Sequence, residues 1–88
     1  MKTFYLVRFS RKTGKIDTTM EALSSAMLSL WALQNTTKTK DVIIFDEDGI
    51  IESYYEGTAE GFPKVLKECK GEHLDQYCEG LLEAIKGA

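Results

Sequence analysis

Val42-Ile43-Ile44-Phe45-Asp46-Glu47-Asp48-Gly49-Ile50-Ile51-Glu52-Ser53-Tyr54-Tyr55 decides the fold class. Two runs of β-branched and aromatic residues flank an Asp-Gly step. Glycine accepts the positive φ that tight hairpin turns require, so the segment reads as a β-hairpin. Strict alternation puts Ile43, Phe45, Ile51 and Tyr55 on one side of it, and Val42, Ile44, Ile50 and Tyr54 on the other. Both sides are apolar, so both must be covered. Either helices divide between the two faces or a partner covers one of them.

Upstream, Phe4, Tyr5, Leu6, Val7 and Phe9 predict a first strand over residues 3–10. A polar turn follows at Arg11-Lys12-Thr13-Gly14-Lys15. Thr18 and Glu21 have the spacing of a capping box, and Met20, Leu23, Met27, Leu30 and Trp31 recur at helical intervals. Leu28 and Leu33 widen that stripe. The pattern predicts a helix from Thr18 to about Asn35, covered on much of its circumference.

Downstream, Pro63 suits a helical first turn, and Phe62, Val65, Leu66 and Cys69 fall at helical spacing. Gly71 ends that element. Leu74, Tyr77, Cys78, Leu81, Leu82 and Ile85 predict a last helix, with Gly80 inside it. The expectation is therefore one α+β domain over residues 1–88, in the order β-α-β-β-α-α: a small three-stranded sheet with helices packed on it. Trp31, Phe45 and Tyr77 are assigned to the core. A three-stranded sheet would leave two edges open to pairing.

The 88 residues are 43% apolar and 28% charged, an ordinary globular composition. No apolar run approaches the roughly 20 residues that span a bilayer, and the first apolar run stops at Arg8. A cytoplasmic location without membrane contact is expected. The two cysteines, Cys69 and Cys78, fall on apolar stripes and lack metal-ligand spacing, so they read as free thiols. His73 is the only histidine, which leaves no histidine pair for a metal. No cofactor and no catalytic residue is expected.

Val42-Ile43-Ile44-Phe45-Asp46-Glu47-Asp48-Gly49 resembles the first motif of the haloacid-dehalogenase phosphatases. There an apolar strand ends in Asp-x-Asp-Gly-Thr, and the aspartates supply a nucleophile and an acid/base around Mg²⁺. The family's threonine is Ile50 here, and the chain beyond it is too short for the remaining motifs. Acidic residues with glycine also make a soluble hairpin turn, and that is the reading kept.

Charge is distributed unevenly. Residues 1–40 carry +5 and residues 41–88 carry −8, for a net −3. If the halves lie side by side, the two fields partly cancel. Asp46, Glu47, Asp48 and Glu52 could instead form an acidic surface for a basic partner. Arg8, Arg11, Lys12 and Lys15 could form a basic surface for nucleic acid. The sequence pI near 5.1 disfavours nucleic acid. The functional expectation is a non-enzymatic protein-interaction module, self-associating or binding an unidentified protein, with nucleic-acid binding as the alternative.

Overall fold

The computed structural model describes residues 2–86. The hairpin forms as its sequence requires: β3 (Lys40–Asp46) pairs antiparallel with β4 (Ile51–Glu56) around a turn with Gly49 at φ +82°. The Asp46 carboxylate accepts from the backbone N–H of Asp48 and of Ile50, at 2.9 and 3.0 Å, and fixes the turn from inside. Alternation along β4 fails at one point. Ser53 pairs with Ile44, but Ile51 pairs with Phe45, so Glu52 is bulged out of the ladder. The extra residue changes the parity. Tyr54, rather than Tyr55, joins Ile43, Phe45 and Ile51 in one cluster, and Tyr55 joins Val42 and Ile44 in the other.

The sheet is larger than the sequence pattern suggests. β1 (Phe4–Ser10) pairs antiparallel with β3, β2 (Ile16–Ala22) with β1, and β5 (Lys64–Val65) with β4. The order is β2-β1-β3-β4-β5. The expected α+β arrangement, a three-stranded sheet in β-α-β-β-α-α order, is therefore corrected to a sheet-rich fold. Among the described residues it has a five-stranded antiparallel sheet and two α-helices.

The physical reasons lie in two segments. Ile16, Thr18 and Thr19 are β-branched and favour a strand, so the helix begins only after Ser24, in extended backbone at φ −127°. No capping box forms, and the Thr18 hydroxyl donates to the Asp17 carboxylate. In the second segment, residues 62–71 hold β5 and a 3₁₀ turn at Lys67–Cys69 instead of a helix. Their backbone groups bond along the open side of β4. Leu66 N–H donates to Tyr54 C=O, Ile51 N–H to Glu72 C=O and Gly71 N–H to Ile51 C=O. The expected last helix is likewise divided into a 3₁₀ turn at Leu74–Gln76 and α2 (Leu81–Lys86). Gly80 at φ +76° separates them, in a conformation that side chains with Cβ rarely adopt.

Each sheet face is covered by its own part of the chain. α1 (Ser25–Asn35) lies on Leu6, Val42, Ile44 and Tyr55 through Leu28 and Ala32. The C-terminal segment covers Val7, Phe9, Ile43, Phe45, Ile51 and Tyr54 with Cys69, Leu74 and Leu81. The ion pairs Lys2–Asp46, Arg11–Asp41 and Arg11–Glu56 join the basic first half to the acidic second half. No helix among the described residues is long and apolar enough to cross a membrane.

Candidate functional site

The acidic residues are spread over different environments. Asp46 is buried, spends one oxygen on its own turn, and faces the Lys2 ammonium at 3.5 Å with the other. Glu47 is half-buried and Asp48 is exposed at the turn tip. Glu52 sits on the bulge, 3.7 Å from the Lys70 ammonium. In the phosphatase motif the first aspartate must be open to substrate, whereas here it is buried under the turn that it holds.

The basic residues divide in the same way. Arg8 bonds the Asp17 carboxylate at 2.8 Å, donates to the Asn35 carbonyl at the end of α1, and lies 5.5 Å from the centre of the Trp31 ring. A guanidinium on a helix C-terminus complements the dipole. Lys40 reaches the other oxygen of Asp17 at 2.8 Å. Lys40 and then Arg8 hold the Asp17 carboxyl well below the usual carboxylate range. Arg11 donates to the carbonyls of Lys38 and Gly57, both at 3.0 Å. Lys12 and Lys15 are exposed on the β1–β2 turn. Arg11 and Lys12 line one shallow concavity with Lys38, while Arg8 is engaged separately with Asp17.

A buried polar cluster escapes sequence reasoning. Asp41 is fully buried at the start of β3, accepts from the Tyr54 hydroxyl at 3.0 Å and from the Gly57 N–H at 2.9 Å, and has Arg11 at 3.6 Å. Burial, followed by the Asp41 charge, pushes the Tyr54 hydroxyl above the ordinary phenol range. Gly57 is packed so closely that a Cβ there would sit 1.7 Å from the Thr37 carbonyl oxygen. The cluster closes the end of the sheet. Among the described residues no buried side-chain nitrogen or oxygen is left without a hydrogen-bond partner, which suits structure rather than chemistry.

A concavity of about 440 Å³ lies between the β1–β2 turn and the start of α2, walled by Phe9, Ile16, Tyr77 and Leu81. Of its two charged residues, Arg11 is already engaged with Asp41 and backbone carbonyls and Glu79 is exposed. Cys78 also lines it, and burial raises that thiol's pKa, away from the reactive thiolate. Among the described residues, no group of three His, Cys, Asp or Glu side chains could hold a metal ion.

The most unusual surface is the outer side of α1. Leu23, just before the helix, is 62% exposed, and Met27, Leu30 and Leu33 on it are 67, 65 and 49% exposed. The sequence places these residues in a core-facing stripe. The structure reverses that, because Leu28 and Ala32 face the sheet and Trp31 is half-buried beside Arg8. Phe45 is buried as expected, whereas Tyr77 is 40% exposed, with its hydroxyl on the Glu72 carboxylate. Residues 23–35 contain no charged side chain. A surface helix ordinarily carries charge on its solvent side, so the sequence signal for this surface is the absence of charged residues from α1. Comparisons with protein-family models, curated proteins and solved structures return no match.

Proposed function

We propose that this chain is a non-enzymatic protein-interaction module that binds another polypeptide through the outer face of α1. One observation carries the reading: Met27, Leu30 and Leu33 of α1, with Leu23 just before it, stand in solvent with no charged residue among them. The four side chains present roughly 400 Å² of apolar surface, a size at which surface patches are often functional. Covering it is worth about 10 kcal/mol at ~25 cal/mol per Å². Association costs of about 4–15 kcal/mol oppose that gain. The stripe alone therefore supports modest affinity. An acidic hairpin surface contributes less, since Asp46 and Glu52 already have partners. A cytoplasmic setting accords with the two free thiols.

The test is site-specific crosslinking in the native cell. A photoreactive residue at Met27 is expected to give discrete adducts that the same residue at Thr19, on β2, does not. Equal or absent adducts at both positions would overturn the reading. Nucleic-acid binding predicts oligonucleotide affinity that falls steeply with salt.

A further inference from the structure

We infer that the end of the sheet beside the β1–β2 turn binds a free nucleotide, with its phosphate between Lys12 and Lys38 and its base against Tyr77. Two concavities meet there. One, of about 440 Å³, is walled by Phe9, Ile16, Tyr77 and Leu81. The other, of about 290 Å³, is lined by Arg11, Lys12, Lys38 and Thr39. Arg11 lines both, so an apolar hollow and a basic one adjoin. Their size suits a small ligand, whose sites occupy about 300–1,000 Å³. None of the lining residues belongs to α1, so this site stands apart from the interaction face.

Arg11 builds the basic hollow. Its backbone N–H donates to the Thr39 carbonyl at 3.3 Å and its guanidinium to the Lys38 carbonyl at 3.0 Å. These bonds tie the β1–β2 turn to the turn before β3, which two backbone bonds between Thr37 and Lys40 close. Lys12 and Lys38 are carried by these joined turns to one place. The charge of Arg11 is offset by Asp41 at 3.6 Å and Glu56 at 4.0 Å. Lys12 and Lys38 are exposed and form no ion pair among the described residues. Two unpaired ammonium groups beside the Thr39 hydroxyl match the charge and the acceptor oxygens of a phosphate.

The apolar hollow supplies a stacking wall. The Tyr77 ring is half-open to solvent and held from two sides. Its edge meets Tyr54, 5.5 Å between ring centres, and its hydroxyl donates to the Glu72 carboxylate. A fixed, half-open aromatic ring is a surface on which a base stacks. Glu79 lines the same hollow, exposed and without an ion pair among the described residues. It repels a ligand that carries acidic groups alone. A nucleobase brings N–H donors to that carboxylate, whereas the ring of a phosphorylated tyrosine brings none. A nucleic-acid strand fits less well. Lys2 is spent on Asp46, and Arg8 and Lys40 on Asp17. Among the described residues of the first half, that leaves Lys15 alone for any further phosphate, on a chain of net charge −3.

Titration of the isotope-labelled full chain with adenosine monophosphate, followed by NMR, tests this. Amide shifts are expected at Lys12, Lys38 and Thr39 and also at Gly14 and Gly80. Ribose phosphate should move the first three alone and bind about tenfold more weakly. Lys12→Glu and Lys38→Glu should each weaken adenosine monophosphate about tenfold. Lys70→Glu makes the same charge change beside Glu52, at the other end of the sheet, and should alter binding less than about twofold. Tyr77→Leu and Glu79→Ala should each lower the affinity for adenosine monophosphate and leave that for ribose phosphate unchanged. No shift at these amides up to about 10 mM ligand would overturn the site. So would equal affinity for adenosine monophosphate and ribose phosphate, or a response to Lys70→Glu as large as that to Lys38→Glu. An adenylate hexanucleotide binding more than about tenfold tighter than the mononucleotide would overturn the free nucleotide in favour of a strand. Crosslinking at Met27 reports on α1 alone, so either reading can fail without the other.

Discussion

Asp41 shows how much of this fold depends on single polar atoms. Asp41→Ala leaves the Tyr54 hydroxyl and the Gly57 N–H buried without their acceptor, and is expected to cost about 3 kcal/mol in chemical denaturation. Tyr54→Phe removes one donor and leaves the other contacts, and should cost about 1 kcal/mol. If the two variants lost equal stability, the carboxylate would not be the centre of the cluster. Gly57→Ala must push the backbone away from the Thr37 carbonyl, at about 3 kcal/mol or more. Asp17 leads to an expected acid dependence. Its carboxyl is held below its ordinary value of 3.8 when folded. A depressed carboxyl stabilises the folded state above its unfolded pKa, and that contribution fades as pH falls toward the folded value. Asp17→Asn should therefore be less stable than wild type near neutrality. Unfolding curves of the two should converge as pH drops below 3.8. A stability gap that persisted unchanged in acid would contradict the ion-pair assignment.

Among the elements, the hairpin was legible because its signal is local. Asp48-Gly49 demands a turn, and the residues on either side demand strands. The segment at 16–22 was not legible as a strand. Met20, Leu23, Met27 and Leu30 keep helical spacing across a boundary where β2 ends and α1 begins, and spacing alone does not mark that change. The segment at 62–85 misled for a related reason. Its apolar residues line one side of an irregular path that bonds to β4, and their intervals imitate a helix. Gly80→Ala separates the two readings. Inside a helix the change would stabilise by about 1 kcal/mol. At φ +76° it should instead destabilise by about 1 kcal/mol or more, read from the denaturation midpoint. The outer face of α1 stayed hidden because large apolar residues on more than one side of a helix do not say which side meets the sheet. The charged residues expected to form sites were visible by number. Their partners were not, since Arg8 with Asp17 and Lys2 with Asp46 meet only through the sheet.

At the scale of the whole molecule, two chain segments share the work of covering one sheet, and neither can replace the other. A chain ending at Val65 loses Cys69, Leu74 and Leu81 from above Val7, Ile43 and Phe45. It is expected to lose cooperative thermal unfolding and to bind apolar dyes; a sharp transition near that of the full chain would refute this division. The two electrostatic halves also meet across the sheet, which is why a chain so polarised in sequence needs no separate basic and acidic lobes. The bulge at Glu52 has a consequence for how such a chain can change in length. One residue of β4 is surplus to the ladder. A natural or designed variant lacking it could pair regularly and keep every neighbour on its present side. Adding one residue within the paired part of β4, or removing two, would exchange inside for outside along the rest of the strand. Tolerance to gaps in this hairpin is thus a matter of odd and even, and the chain carries one spare count.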